Sequence, residues 1–295
     1  MAKGYVIYNP LAGNGNAEDD AKLLQMVFDE ELQYYDMTRI TNYKAFLGGL
    51  SAEDYLVIVG GDGTLNRFVN DTNGMDIPQE ILYFPCGSGN DFARELDING
   101  NPVAITRYLK NLPGVEVNGK HYRFLNGVGF GIDGYCCQVG DERKKTPGKK
   151  VNYTGIAIKG LLFRFQARNA KVIVDGKQYA YQKVWIAPTM HGRYYGGGMI
   201  PAPDQDRASG KLSLMLFHGA GRLRTLCVFP GIFKGTHIKH KNMVAVHTGY
   251  EITVEFDRPT PLQIDGETVL NVSKYTARAA VFSTKREKEL AVEKT

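Results

Sequence analysis

The residues of this chain best suited to chemistry lie in three glycine-rich segments, each placed just after an apolar run. They are Asn9-Pro10-Leu11-Ala12-Gly13, continuing through Asn14, Gly15 and Asn16; Gly60-Gly61-Asp62-Gly63; and Pro85-Cys86-Gly87-Ser88-Gly89. Glycine lets backbone N–H groups come close to an anion, and a helix N-terminus behind the loop adds partial positive charge, so phosphate is the natural ligand. A single loop of this kind is equally well explained as a tight strand-to-helix turn; three in register favour a nucleotide. None of them is a GxxxxGK[ST] phosphate loop or a GxGxxG dinucleotide fingerprint, which disfavours the ordinary P-loop kinases. Asp62 suits a Mg²⁺ ion held on phosphates, since that ion takes one or two carboxylates plus phosphate oxygens. Its lesser reading is the cap of the helix that should begin near Thr64. Asp91 stands evenly between cap and site, and Asp133 is open in the same way.

The elements that would position these loops are legible in the pattern. Gly4 to Tyr8, Tyr55 to Val59 and Ile81 to Phe84 are short apolar runs that predict strands buried on both faces. Helices are expected from about Glu18 to Glu31, near Thr64 and from about Asp91, so strand and helix alternate as in a parallel sheet covered on both sides. After about Gly114 the strand-like pieces shorten, and Asn118-Gly119, Asp175-Gly176 and Asp265-Gly266 are the dipeptides of two-residue hairpins. That half predicts antiparallel β structure, interrupted by a helical segment from about Val151 to Phe165 and by a loop from Gly196 to Gly210. The charged tail, Lys285 to Thr295, reads as a helix.

Composition sets the outer bounds. The chain has 295 residues, 43% of them hydrophobic and 23% charged, which is enough for two cores and argues against global disorder. The start, MAKGYVIYNP, reads as a lead into a strand and not as a secretory signal. Cys86, Cys136, Cys137 and Cys227 have neither CxxC spacing nor disulfide-scaffold density, so free thiols in the cytoplasm are expected. Net charge is +5, with a basic run at Arg143, Lys144, Lys145, Lys149 and Lys150 that is either a solvated loop or a contact for anionic lipid head groups. Nothing resembles a nucleic-acid motif. His237, His240 and His247 fit no closed zinc set and are expected on the surface, while Trp185 is expected in the core.

The loops also carry a resemblance. Val59-Gly60-Gly61-Asp62-Gly63-Thr64-Leu65-Asn66 resembles the GGDGT signature shared by diacylglycerol, sphingosine and NAD kinases. Asn9 to Gly13 is similar to the NPxxG opening of lipid kinases, and Pro85 to Arg94, PCGSGNDFAR, to their PxGTxNDFAR segment. Asn126 to Asp133 is similar to NxxGxGxD, and Asp265-Gly266-Glu267 to the late DGE motif. Together, in this order, these motifs resemble the diacylglycerol kinase catalytic family, with sphingosine kinase-like and NAD kinase relatives further off.

That resemblance implies a fold of an N-terminal α/β domain, a doubly wound parallel sheet of NAD kinase type, plus a C-terminal antiparallel β-sandwich domain. The expected domains are residues 1–118, rejoined by the tail 284–295, and residues 119–283. It implies ATP and Mg²⁺ as cofactors in a cleft between the domains, with Asn9, Pro10, Leu11, Ala12, Gly13, Thr38, Gly60, Gly61, Asp62, Gly63, Thr64, Leu65, Asn66, Ser88, Asn90 and Asp91 around the nucleotide; Thr41 rivals Thr38. Asp265 is the implied general base with Asp62 as its rival, and Glu267 would orient the base or bind metal. From spacing alone, Asp265-Gly266 is a hairpin turn. A structural metal loop of the form DxxDGxL has its counterpart in Asp206 to Leu212, where Ser209 replaces the second carboxylate, so the Asp206 metal site is expected to be weakened, with Asp204 or Arg207 filling the place. The implied partners are a lipid alcohol as substrate, a peripheral contact with the inner membrane face and a second copy of the chain, with no nucleic acid. The implied activity is an ATP-dependent lipid kinase acting on diacylglycerol or a related lipid. The alternatives are a kinase for a sphingoid base or NAD, or a catalytically silent nucleotide or lipid binder.

Overall fold

The apolar runs of the first third become the central strands of a sheet buried on both faces. The computed structural model describes residues 2–12, 15–87, 89–144 and 153–280; Gly13, Asn14, Ser88, Lys145, Lys149, Lys150 and the tail 284–295 lie outside the described residues. The chain divides into two compact units, Met1–Leu112 and Pro113–Thr295.

The first unit runs β1 (Gly4–Tyr8), α1 (Ala17–Leu23), β2 (Leu32–Asp36), α2 (Tyr43–Gly48), β3 (Tyr55–Gly60), α3 (Asp62–Asp71), β4 (Glu80–Pro85), α4 (Asp91–Glu95), β5 (Val103–Ala104) and α5 (Thr106–Leu109). The sheet order is β2-β1-β3-β4-β5, all parallel except the short edge strand β5. Leu56, Val57, Ile58 and Val59 are fully buried in β3, as expected of a strand with helices over both faces. The first helix is shorter than its pattern predicts: α1 gives way to a 3-10 turn, Leu24–Met26, and β2 begins at Leu32. The Gln25 side chain stops it, its Nε2 donating to the Glu30 carbonyl (2.9 Å) and its Oε1 accepting from the Leu32 N–H (3.0 Å).

The second unit runs β6 (Gly114–Val117), β7 (Lys120–Arg123), β8 (Gly127–Gly131), α6 (Ile132–Lys144), α7 (Tyr153–Lys159), a π-helical turn (Gly160–Arg164), β9 (Arg168–Val174), β10 (Lys177–Val184), β11 (Ile186–Met190), β12 (Leu212–Phe217), α8 (Arg222–Val228), β13 (Val244–Gly249), β14 (Glu251–Ile264) and β15 (Glu267–Arg278). Every pairing is antiparallel. Strand β14 pairs β9 along Ile252 to Phe256 and β8 along Leu262 to Ile264, with register shifts in between. An irregularity of this kind lets one strand serve two layers, so the sheet folds over itself as a sandwich. The enclosed core includes Phe130, Val172, Leu214, Val254, Leu262 and Tyr275. All three dipeptide hairpins form, with the first residue of each at positive φ: Asn118 at 49°, Asp175 at 47° and Asp265 at 47°.

A second apolar layer, including Ile156, Leu161, Trp185, Phe217, Phe229 and Ile232, lies under α7, the π-turn and the 3-10 segment Phe229–Lys234. Trp185 is core, its Nε1–H donating to the Ala220 carbonyl (2.9 Å). Contrary to expectation, His237 is buried as well: only 1% exposed, it stacks on Phe217 and bonds the Pro201 carbonyl through Nε2 (2.8 Å). Helices α6 and α8 are absent from the sequence reading, which saw only turns and strands there. Among the described residues, no helix is long and apolar enough to cross a membrane.

The glycines of α6 explain why a weak helix former becomes a helix. An added Cβ at Gly134 would meet the Pro261 carbonyl oxygen at 2.1 Å, so the helix packs on β14 backbone that any larger residue would push away. Gly134→Ala is expected to lower the unfolding free energy by about 1–3 kcal/mol, read as a drop in urea midpoint; a midpoint equal to wild type would show that α6 does not rest on this contact.

Candidate active site

The candidate residues fall into two groups, one in each unit. In the first unit the sheet order brings the loops after β2, β1, β3 and β4 side by side at the carboxyl edge, with the order reversing at β1, the position where open α/β sheets take ligands. The Asn9 N–H reaches the Val59 carbonyl (3.4 Å), and the Cys86 N–H reaches that of Gly60 (3.0 Å). In the first loop Asn9 Oδ1 accepts the Leu11 N–H (3.1 Å), the Ala12 N–H closes on the Asn9 carbonyl (2.9 Å), Pro10 is half-buried and Leu11 is 81% exposed.

The loops after β3 and β4 come closest at glycines. A Cβ on Gly87 would lie 2.5 Å from the Gly61 Cα, and one on Gly60 would lie 2.2 Å from Thr64 Oγ1. Across this contact Asp62 joins two helices. Its Oδ2 accepts the Asp91 N–H (2.8 Å) and its Oδ1 the Phe92 N–H (2.9 Å), so the carboxylate at the start of α3 also caps the first turn of α4. The cap expected of Asp62 is real, but it serves the neighbouring helix. Asn90 adopts left-handed backbone (φ 48°) and donates from Nδ2 to the Gly87 carbonyl (2.8 Å). A Cβ on Gly89 would sit 3.5 Å from Asp62 Oδ2 and 3.9 Å from Asp91 Oδ2, so both carboxylates surround this glycine. An all-oxygen donor set of this kind fits a Mg²⁺ that takes its remaining ligands from phosphate and water; among the described residues no three side chains form a closed metal cluster.

The other nucleotide candidates are less equal than their motif suggests. Gly63 is partly exposed, whereas Thr64, Leu65 and Asn66 are buried in α3, and the Leu65 side chain belongs to the core. Thr38 is exposed, and its N–H (2.8 Å) and hydroxyl (2.7 Å) both donate to Asp36 Oδ1, so in this arrangement its hydroxyl proton is taken up by Asp36.

In the second unit, Asp265 is both the hairpin residue of its spacing and the knot of a motif. Its Oδ2 accepts the Leu125 N–H (2.5 Å), and its Oδ1 accepts those of Asn126 (2.8 Å) and Gly127 (2.9 Å). Arg207 braces the same segment, donating to the Leu125 carbonyl (2.7 Å) and to Asn126 Oδ1 (3.3 Å). Asp206 accepts the Ala208 N–H (2.9 Å), and the Ser209 hydroxyl donates to the Asp206 carbonyl (2.6 Å), so the loop expected to lose its metal is closed by its own hydrogen bonds. Glu267 opens β15 with its side chain exposed. Gln263, absent from the sequence reading, accepts the Gly266 N–H (2.9 Å) and steadies the turn; its only sequence signal is its place two residues before Asp265.

Electrostatics narrows the chemistry. Burial pushes the Cys86 thiol up to about 11 and that of Cys136 up to about 12, so neither is a thiolate nucleophile at neutral pH. Burial, aided by the Arg207 guanidinium, holds His191 well below its ordinary value, leaving a neutral imidazole. Asp133, 6% exposed, is pushed up to about 7 by burial, against the opposing pull of the Gly134 N–H and the Gln263 side chain.

Asp133 therefore binds its proton more tightly when folded than at its unfolded value of 3.8. Its contribution to stability is complete below that value and is lost as pH rises through about 7. Wild type should lose stability between about pH 4 and pH 7, on the order of 1.4 kcal/mol per pKa unit, and Asp133→Asn should lose much less. Parallel pH profiles of the two proteins in thermal denaturation would refute this assignment.

Comparison with known proteins identifies both domains. Residues 3–116 match the diacylglycerol kinase catalytic domain, and residues 126–280 match the YegS C-terminal NAD kinase beta sandwich-like domain. A diacylglycerol kinase of Mycobacterium tuberculosis (strain ATCC 25618 / H37Rv) is 29% identical over 194 residues, 63% of this chain and 62% of the relative, so the match spans less than two thirds of that protein. A crystal structure of a diacylglycerol kinase from Bacillus anthracis str. Sterne covers 95% of both chains at 19% identity with a TM-score of 0.60. A second structure from that organism reaches 0.65 at 20% identity, likewise a likeness of fold. With both domain types present in order, this chain belongs to the diacylglycerol kinase-like lipid kinase family.

Proposed function

We propose that this protein is an ATP-dependent lipid kinase that moves the γ-phosphoryl group of ATP onto the hydroxyl of diacylglycerol or a related lipid, acting in the cytoplasm at the inner membrane face. The observation that carries the reading is the Asp62 carboxylate, fixed by two α4 amides among glycine loops at the carboxyl edge of the first sheet. Phosphoryl transfer asks for positioning and charge neutralisation more than for covalent chemistry. The loops after β1 and β3 line the phosphates, the N–H groups of Gly61, Asp62 and Gly63 donating to them with Asn90 alongside. Asp62 and Asp91 would hold Mg²⁺, which would neutralise phosphate charge. Asp265 accepts the proton of the attacking hydroxyl; three N–H donors fix its orientation, as a general base requires. Glu267 lies one residue beyond the turn and assists the base, and Arg207 replaces a cation in bracing the Leu125–Asn126 segment.

The family match and the mycobacterial relative's name support a lipid acceptor. The direct test offers γ-labelled ATP and Mg²⁺ with diacylglycerol, monoacylglycerol, sphingosine, phosphatidylglycerol and NAD as separate acceptors. Label should appear in a lipid, with diacylglycerol foremost, and should vanish when Mg²⁺ is chelated. Label on NAD alone, or on no acceptor while ATP still binds, would sink the proposal.

A further inference from the structure

Helix α6 lies across the hairpin that carries Asp265. An added Cβ on Gly134 would come within 3.3 Å of the Leu262 Cα, so the start of the helix rests on β14 just before the turn. Beside it, Asp133 stands next to Gln263. Asp133 Oδ2 and Gln263 Nε2 are both buried and neither has another hydrogen-bond partner, while the Gln263 side chain is close enough to favour the Asp133 charge. A Cβ on Gly129 of β8 would meet Asp133 Oδ2 at 2.8 Å, so β8 makes room for this carboxylate by lacking a side chain there. About two turns further along α6, Asp141 Oδ2 accepts the Thr268 hydroxyl (2.7 Å), just after the turn.

Gln263 and Thr268 stand opposite each other in the β14–β15 ladder, one on each side of the turn. Directly opposed residues share a face of the sheet, and here both meet α6. The helix thus grips both strands at one rung, with a different carboxylate for each.

Support of this kind answers a weakness in the hairpin. The ladder shifts register on both sides of Thr260, so its tip consists of the pairs Leu262–Val269, Gln263–Thr268 and Ile264–Glu267. Asp265 then takes left-handed backbone at φ 47°, a conformation that a non-glycine residue holds only where its surroundings enforce it. Gln263 Oε1 holds the Gly266 N–H (2.9 Å), but that bond fixes the turn only if Gln263 is itself fixed.

We propose that Asp133 and Asp141 are positioning residues for Asp265, acting from α6 through Gln263 and Thr268 to set where the Asp265 carboxylate stands. The proposal rests on the reading of Asp265 as the general base, and one arm of its test does not require turnover.

In the first arm, single-turnover transfer from γ-labelled ATP is measured for Thr268→Val, Thr268→Ser and Gln263→Met, each in the wild-type and the Asp265→Asn background, with thermal midpoints alongside. Misplacing a reacting group by about 1 Å costs rate steeply, so Thr268→Val and Gln263→Met should each transfer about tenfold more slowly or worse with ATP affinity unchanged. Thr268→Ser, which keeps the hydroxyl, should stay near wild type. In the Asp265→Asn background the same replacements should cost nothing further, because residues that act as a unit are not additive. Thr276→Val, which removes the hydroxyl bonded to Thr253 (2.9 Å) elsewhere on the same two strands, should lower stability without slowing transfer. In the second arm, hydrogen exchange is followed at the Leu125, Asn126 and Gly127 N–H groups that Asp265 holds, and it should be about tenfold faster in Thr268→Val and Gln263→Met.

Transfer at the wild-type rate in both variants, an equal loss in the Asp265→Asn background, or an equal loss in Thr276→Val would overturn the proposal and leave α6 a purely structural brace. If wild type transfers phosphate to no acceptor, the lipid-kinase reading falls and exchange alone decides: faster exchange keeps the positioning role, and unchanged exchange removes it.

Discussion

At the candidate site of each unit, a motif carboxylate accepts backbone N–H groups from a distant segment. Asp62 reaches the α4 amides 29 and 30 residues ahead, and Asp265 reaches back 138 to 140 residues to Leu125, Asn126 and Gly127. Hydrogen bonds to a charged group contribute roughly 1.5–3 kcal/mol each, more than most neutral ones. In both units the surrounding backbone has room for this contact because glycine stands where a Cβ would collide: Gly61 against Gly87 in the first unit, Gly127 against the Thr189 carbonyl and Met190 in the second. The motifs are thus descriptions of a packing problem as much as of a reaction.

The dual role has a physical logic. A group that must hold a cation or take a proton needs a fixed position, and backbone amides fix it without a second mobile side chain. The same contacts make each candidate residue structural, so loss of activity on replacing it carries meaning only beside a measurement of folding. Arg207 adds a support of the same kind from the loop that lacks its second carboxylate, anchoring the peptide that holds Asp265.

Much of this was legible in the sequence, and what was not has identifiable causes. Continuous apolar runs gave the parallel strands, and Asn-Gly and Asp-Gly pairs gave the hairpins, because both signals are local. Helix α6 was hidden because Gly134 and Gly140 lower helix propensity while serving close packing against Pro261 and Tyr153. The truncation of α1 depends on one Gln25 side chain, and the burial of His237 on the Pro201 carbonyl 36 residues away. At the site, Asp62 and Asp265 could be picked out by motif, but their partners could not. The N–H donors of Leu125 to Gly127 carry no side-chain signature, and Gln263 reaches the turn only once the hairpin exists.

The most direct test of the proposed division of labour between these carboxylates is nucleotide binding and single-turnover transfer measured on the same preparations of Asp62→Asn and Asp265→Asn, with folding monitored alongside. Asp265→Asn should bind Mg²⁺ and ATP about as wild type does yet transfer phosphate at least about a hundredfold more slowly, whereas Asp62→Asn should fail at binding itself. Transfer by Asp265→Asn near the wild-type rate, or wild-type Mg²⁺-dependent ATP affinity in Asp62→Asn, would contradict the account.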